Sequence, residues 1–190
     1  MTPGFCLSGG YYFAHLILSH LTNFSFMKPS DCILVLATAL TALMAGLFFA
    51  YSVSVSPGLG KLSAPEFIKA MQSINRAIQN PLFFTGFFGA PLLLAVASYQ
   101  QYGGRPLAFG CLLAAALLYG CGVLGVTVLA NVPLNNQLDA FDASAATVEK
   151  AREMKAHFET RWNFWNNVRT LASLLAILAA IGGCLCSRPG

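Results

Sequence analysis

Charge is what this chain has least of. Only 9% of its 190 residues are Asp, Glu, Lys or Arg, where soluble domains carry about 25%. So few charged groups do not cover a water-facing surface, and the mean hydropathy of +0.64 points the same way. A soluble globular domain, a disordered chain and a disulfide-stapled secreted module are all excluded. The formal net charge of +4 comes without a dense basic patch, which sets nucleic acid aside. Histidine is scarce too: His15, His20 and His157 are the full set. No His or carboxylate falls inside an apolar run, so a buried haem or di-iron centre has no ligand set, and no metal site is expected. Of the six cysteines, Cys111 and Cys121 stand ten residues apart on one expected helix. That is about 15 Å of rise, too far for a bridge. Cys184-x-Cys186 matches neither a zinc knuckle nor a redox pair, and the cysteines read as small buried hydrophobes.

What the chain does have is long apolar runs. A membrane span needs about 20 mostly apolar residues in helix, because hydrocarbon offers no partner to a free backbone N–H or C=O. Four stretches qualify: Ile33–Val55, ended by Pro57-Gly58; Leu82–Tyr99, opened by Asn80-Pro81 and kinked at Pro91; Leu107–Ala130, between Pro106 and Pro133; and Trp162–Cys186. The expected fold is all-α, an integral-membrane up-down four-helix bundle with amphipathic helical connections over Ala64–Ala77 and Ala145–Thr160. A short turn, Gln100–Pro106, is broken at Gly103-Gly104. The third span is rich in Gly110, Ala114, Ala115, Ala116, Gly120, Gly122 and Gly125, small residues that let backbones approach in lipid.

Tyr11–Met27 is too polar for a span and lacks the basic start of a signal peptide. Residues 1–29 are expected to form a loosely ordered N-terminal extension, and residues 30–190 the membrane domain. Met27-Lys28-Pro29-Ser30-Asp31 looks like a start, with Ser30 or Asp31 capping the first helix, and a chain beginning at Met27 is expected to fold. Lys28, Arg105 and Arg188 lie on one side of the bundle, and the other eight Lys and Arg on the side of the long connections. The positive-inside rule therefore places those connections in the cytoplasm.

The informative polar residues gather at that same end. Asn75 and Gln79, and Arg76 and Asn80, are i,i+4 pairs ahead of the second span. Thr127, Asn131 and Asn135 are spaced by four at the end of the third, where Pro133 bends the last step. Trp162, Trp165, Asn166 and Arg169 share one helix face. Asparagine also caps helices, tryptophan anchors at interfaces and arginine snorkels. So many amides at one depth nevertheless call for partners or a ligand. The halves echo each other: apolar helix, Pro57-Gly58-Leu59 or Pro133-Leu134, amphipathic segment, then a helix start bearing Asn and Arg.

Several of these stretches carry a resemblance: Ala45-Gly46-Leu47-Phe48-Phe49-Ala50-Tyr51, Met71-Gln72-Ser73-Ile74-Asn75-Arg76 through Asn80-Pro81, Asn131-Val132-Pro133-Leu134-Asn135, and Trp165-Asn166-x-x-Arg169. From about residue 33 to residue 181 the chain resembles the DUF1772, or anthrone-oxygenase-like, membrane family. The resemblance implies a four-helix membrane protein. Fungal members of that family oxidise anthrones to anthraquinones with O2 and no evident cofactor. On this reading the chain is a cofactor-independent oxygenase acting on a planar phenolic or anthrone-type molecule. Arg76, Arg169 and His157 would be the catalytic groups, with His157 as the base. Asn75, Asn80, Asn131, Asn135, Trp162, Trp165 and Asn166 would bind substrate. The alternative is a non-enzymatic four-helix membrane protein that binds or carries a small apolar molecule, which as a carrier would need to oligomerise.

Overall fold

The structure, a computed structural model, describes residues 28–187. The expected extension lies, up to residue 27, outside them, as does Arg188. Five helices and no strand make up the described residues: α1 (Pro29–Gly60), α2 (Ala64–Ala77), α3 (Pro81–Gln101), α4 (Pro106–Asp139) and α5 (Val148–Cys186). All but α2 are long and apolar enough to cross a membrane, and the molecule is an integral membrane bundle.

The helix starts follow from local chemistry. Asn80 takes the Phe83 N–H on its side-chain oxygen, and Pro81, which has no N–H to leave unpaired, fills the first helical position. At α1 the expected cap by Ser30 or Asp31 is not formed. Pro29 takes the first position, Lys28 is the residue before it, and Asp31 sits in the first turn, where a carboxylate favours the positive helix end. Between α3 and α4 the chain turns through Gly103 at φ 77°, a backbone that suits glycine.

Neither Pro57, expected to end its helix, nor Pro133, expected to follow the end of a span, stops the helix. α1 continues through Pro57 to Gly60, and α4 through Pro133 to Asp139. In each case a π-helical turn comes first, Tyr51–Val55 and Thr127–Asn131. Ser56 N–H reaches back five residues to the Tyr51 carbonyl, as Val132 N–H does to Thr127. A proline one residue later has no N–H to donate, and the widened turn relieves its ring of the clash with the carbonyl four residues back. The echo between the halves is therefore a shared device. α3 runs on through Pro91. The fourth span and the amphipathic segment before it are one helix, α5, because nothing between Thr160 and Trp162 breaks it.

The four long helices form a ring in which α1 packs on α3, α3 on α4, α4 on α5 and α5 on α1. Interior positions carry small residues. Ala37, Thr41 and Ala45 of α1, Ala90 and Ala97 of α3, Ala108 and Ala115 of α4, and Ser173, Ala176 and Ala180 of α5 are all buried. Large apolar residues such as Leu43, Leu92, Leu117, Leu171 and Leu178 point outward. This is the arrangement of a bundle whose outer solvent is lipid. Cys32, Cys121 and Cys186 share the outer surface, so the reading of the cysteines as buried does not hold for them.

Beyond the span, a second core forms where α2 lies across the ends of α4 and α5: Phe67, Ile68 and Met71 meet Leu134, Leu138, Phe158 and Trp162. Polar contacts fix this layer. Gln72 Nε2 donates to the Leu138 and Phe141 carbonyls at 2.8 and 2.9 Å. Lys155 Nζ donates to the Gly60 and Leu62 carbonyls, both at 2.8 Å, and closes the end of α1. Lys155 is thus turned inward, unlike Glu149 and Arg152, which pair on the exposed face.

Candidate functional site

At the junction between the membrane core and this second layer lies a cavity of about 320 Å³, within the range of small-molecule sites. α1 gives it Leu47, Phe48 and Tyr51, and α3 gives Phe83, Phe84, Phe87 and Phe88. α4 gives Thr127, Val128, Val132, Asn135 and Asn136, and α5 gives Trp162, Asn166 and Arg169. Asn75, Ile78 and Gln79, at the end of α2 and just after it, close the water side.

Arg169 is the single ionised side chain in this lining, and it is buried. Its Nη2 donates to Asn166 Oδ1 at 3.0 Å and its Nη1 to Thr127 Oγ1 at 3.3 Å. The guanidinium lies 4.7 Å from the ring centroid of Phe48 and 5.3 Å from that of Trp162, both cation–π distances. No carboxylate of the described residues pairs with it. A buried cation without a counter-ion is costly, and it marks a place where an anion is favoured.

The neighbours of Arg169 are held in turn. Asn166 Nδ2 donates to the Phe48 carbonyl at 3.2 Å and to Ser52 Oγ at 3.0 Å, so its oxygen is left to face Arg169. Trp162 Nε1 donates to Asn135 Oδ1 at 2.9 Å, and its ring packs against Tyr51. Two donors of lining residues, Arg169 Nε and Asn75 Nδ2, are buried with no partner among the described residues. A lining with one formal positive charge, amide side chains and aromatic walls is complementary to a flat molecule bearing acceptor oxygens.

Of the ten residues expected from the sequence to be catalytic or substrate-binding, Asn75, Asn135, Trp162, Asn166 and Arg169 line the cavity together, with Gln79 and Thr127 beside them. Five others do not line it. His157 sits exposed on α5, on a face turned away from the bundle, and Arg76 is drawn outward to Asp139 at 2.7 Å, with both side chains largely in solvent. Asn80 is used as the helix cap. Trp165 packs against Phe164 and the second core. Asn131 is buried beside the cavity lining, with neither amide atom paired. The reason for the split is angular. On α5, positions 162, 166 and 169 keep to one stripe, whereas 157 and 165 fall off it.

The aromatic wall, Phe48 and Tyr51 of α1 and Phe83, Phe84, Phe87 and Phe88 of α3, is not among the residues expected in the site from the sequence. Their signal was present as Phe83-Phe84-x-x-Phe87-Phe88, two i,i+4 aromatic pairs at the start of a span. In a chain with 15 phenylalanines such pairs read as ordinary apolar content. Among the described residues no three His, Cys, Asp or Glu side chains gather as a metal site would need.

A family model described as anthrone oxygenase matches residues 81–179, just over half of the chain. The match takes in α3, α4 and most of α5, and with them all of the cavity lining except the part from α1 and the end of α2. Comparison with curated proteins and with solved structures gives no match.

Proposed function

Because the chain belongs to the anthrone oxygenase family, we propose that it is a membrane-embedded oxygenase that oxidises a planar phenolic ketone of the anthrone type, with the cavity around Arg169 as its site. The observation that carries this reading is a buried arginine, without a carboxylate partner among the described residues, in an aromatic-walled cavity. An anthrone has a methylene opposite its ketone. Loss of one methylene proton gives an anion whose charge rests largely on the ketone oxygen. A fixed guanidinium beside that oxygen stabilises the anion and so makes the proton easier to lose.

The anion is electron-rich enough to reduce O2 itself. A carbon–oxygen bond forms at the former methylene, giving a hydroperoxide once the distal oxygen takes a proton. Loss of water from the hydroperoxide leaves a second ketone. In sum, the methylene gives up two hydrogens, one oxygen atom of O2 stays on carbon, and the other leaves as water. Arg169 and Asn75 would hold the oxygens, and Phe48, Trp162 and the α3 phenylalanines would flank the rings. His157 and Arg76, expected as catalytic from the sequence, have no part in this scheme because they face solvent. The proton would pass to water at the amide rim of Gln79 and Asn136, the exposed polar members of the lining.

The test is O2 uptake by the purified protein in detergent with an anthrone, run with and without chelator. Stoichiometric uptake with anthraquinone formation, lost in Arg169→Gln, is expected. Saturable binding of a hydroxylated anthraquinone without O2 uptake would instead favour a carrier of apolar molecules.

A further inference from the structure

α3 and α4 pack closely along Pro106–Tyr119 but make little contact beyond Gly120. Their separation begins where α4 changes its winding: Gly120–Gly125 and Thr127–Asn131 are both π-helical. Such turns redirect a helix and recur at functional sites. At this level α3 is held by α1 instead, with Met44 against Gly86 and Leu40 against Gly89. The cavity lies in the resulting cleft. Its rim there is Phe84 and Phe88 on one side and Val128 and Val132 on the other, all outward-facing and all apolar. The opposite rim, toward the second layer, carries Asn75, Gln79, Asn135 and Asn136.

We infer that the cleft between α3 and α4 is a lateral portal, through which a flat aromatic molecule dissolved in the bilayer enters edge-on, with Phe88 and Val128 setting the width it must pass. The occupant's chemistry rests on the function proposed above; the portal itself rests on the diverging helices and the sign of each rim. A polycyclic phenol partitions into the membrane near the headgroups, with its rings among acyl chains and its oxygens toward water. The cleft presents the same polarity in the same direction, so the molecule slides in without passing through water or turning over. An entrance on the amide side would require desolvating those side chains to admit an apolar ring system.

The experiment uses the full chain in liposomes. In the Trp165→Phe variant Trp162 is the remaining tryptophan, and it lines the cavity. Lipids brominated on the acyl chain near the carbonyl are expected to quench it, and Val128→Phe is expected to reduce that quenching. An unquenched Trp162 would overturn the portal whatever the ligand. Binding kinetics then use a hydroxylated anthraquinone. Val128→Phe is expected to slow both association and dissociation several-fold, because a narrowed gate obstructs passage in both directions, whereas a lost contact in the bound state would speed dissociation. Leu129→Phe, on the neighbouring outward face and outside the lining, is expected to change neither rate. If Asn136→Phe slows entry and Val128→Phe does not, the route is from water and the portal is refuted. Strong quenching of Trp162 with no anthraquinone binding would leave the portal standing and sink the proposed function.

Discussion

The guanidinium of Arg169 lies over the ring of Trp162, two helical turns back on α5, 5.3 Å from its centroid. Positions 162 and 169 are seven residues apart, so the stacking follows from helical geometry once that stripe faces the bundle. Removing the charge takes away a buried cation that no carboxylate of the described residues neutralises, and the fold is expected to lose little by it. Arg169→Met is therefore expected to match or exceed the parent in thermal stability while losing binding of a hydroxylated anthraquinone. Arg169→Lys keeps the charge but not the planar fork that serves Asn166 and Thr127 together. It is expected to weaken binding by at least tenfold, about 1.4 kcal/mol. Thermal unfolding and fluorescence titration check both variants, and a marked fall in stability for Arg169→Met would make Arg169 a structural residue.

Asn135 accepts the indole N–H of Trp162 at 2.9 Å, and Trp162 is almost wholly buried. Truncating Asn135 to Ala strands that donor, at a cost of about 1–3 kcal/mol. Trp162→Phe removes the donor along with its need. The double variant Asn135→Ala, Trp162→Phe is expected to be more stable than the sum of its single changes. A double-mutant cycle on thermal unfolding measures the coupling, and strict additivity would show that the bond contributes nothing.

The bounds of α2 and the existence of four spans were legible because the amphipathic segment Ala64–Ala77 and the apolar run lengths state them directly. The continuity of α1 past Pro57 and of α4 past Pro133 was not. A proline normally stops a helix, and whether a π turn precedes it depends on packing that one sequence does not display. The site divided in the same way. Trp162, Asn166 and Arg169 were readable as a stripe because their spacing, four and then three, is the helix period. Arg76 and Arg169 look alike in sequence, each near a helix end. Asp139, across the second layer, decides that one turns outward, and that partner comes from an element more than 60 residues away.

Gly122 and Gly183 hold α4 and α5 together more closely than any other residue would allow. A Cβ on Gly122 would stand 2.5 Å from Ala172 Cβ, and one on Gly183 2.6 Å from Leu112 Cγ. Gly110 and Gly120, on the same helix as Gly122, have nothing within 4 Å. Gly122→Ala is therefore expected to push the helices apart and lower the melting temperature by several degrees, with an overpacking cost of about 1–3 kcal/mol. Gly110→Ala is expected to be neutral or stabilising, since alanine favours helix. Adding Ala172→Gly to Gly122→Ala moves the methyl to the other helix and is expected to recover most of the loss. A destabilised Gly110→Ala, or no recovery in the pair, would show that the glycines matter for something other than this contact.

The last prediction concerns acid. α2 begins with a capping box in which Glu66 Oε2 accepts the Ser63 hydroxyl at 2.6 Å and the Ser63 backbone N–H at 3.1 Å. The Ser63 hydroxyl, and then its N–H, hold the Glu66 carboxyl below its ordinary value of 4.5. A carboxyl whose pKa is lowered in the folded state stabilises that state above its unfolded pKa, and the contribution is lost as the pH falls through the folded value. The start of α2 is thus expected to loosen below the ordinary glutamate range and to be unaffected by pH near neutrality. Because α2 supplies Asn75 and leads into Gln79 at the cavity, ligand affinity should weaken over the same acidic window. Glu66→Gln, which still offers an acceptor oxygen but does not titrate, is expected to flatten that dependence. Amide hydrogen exchange at Phe67 and Ile68, compared between the two chains across the acidic range, decides the matter: equal pH dependence in both would remove Glu66 as its source.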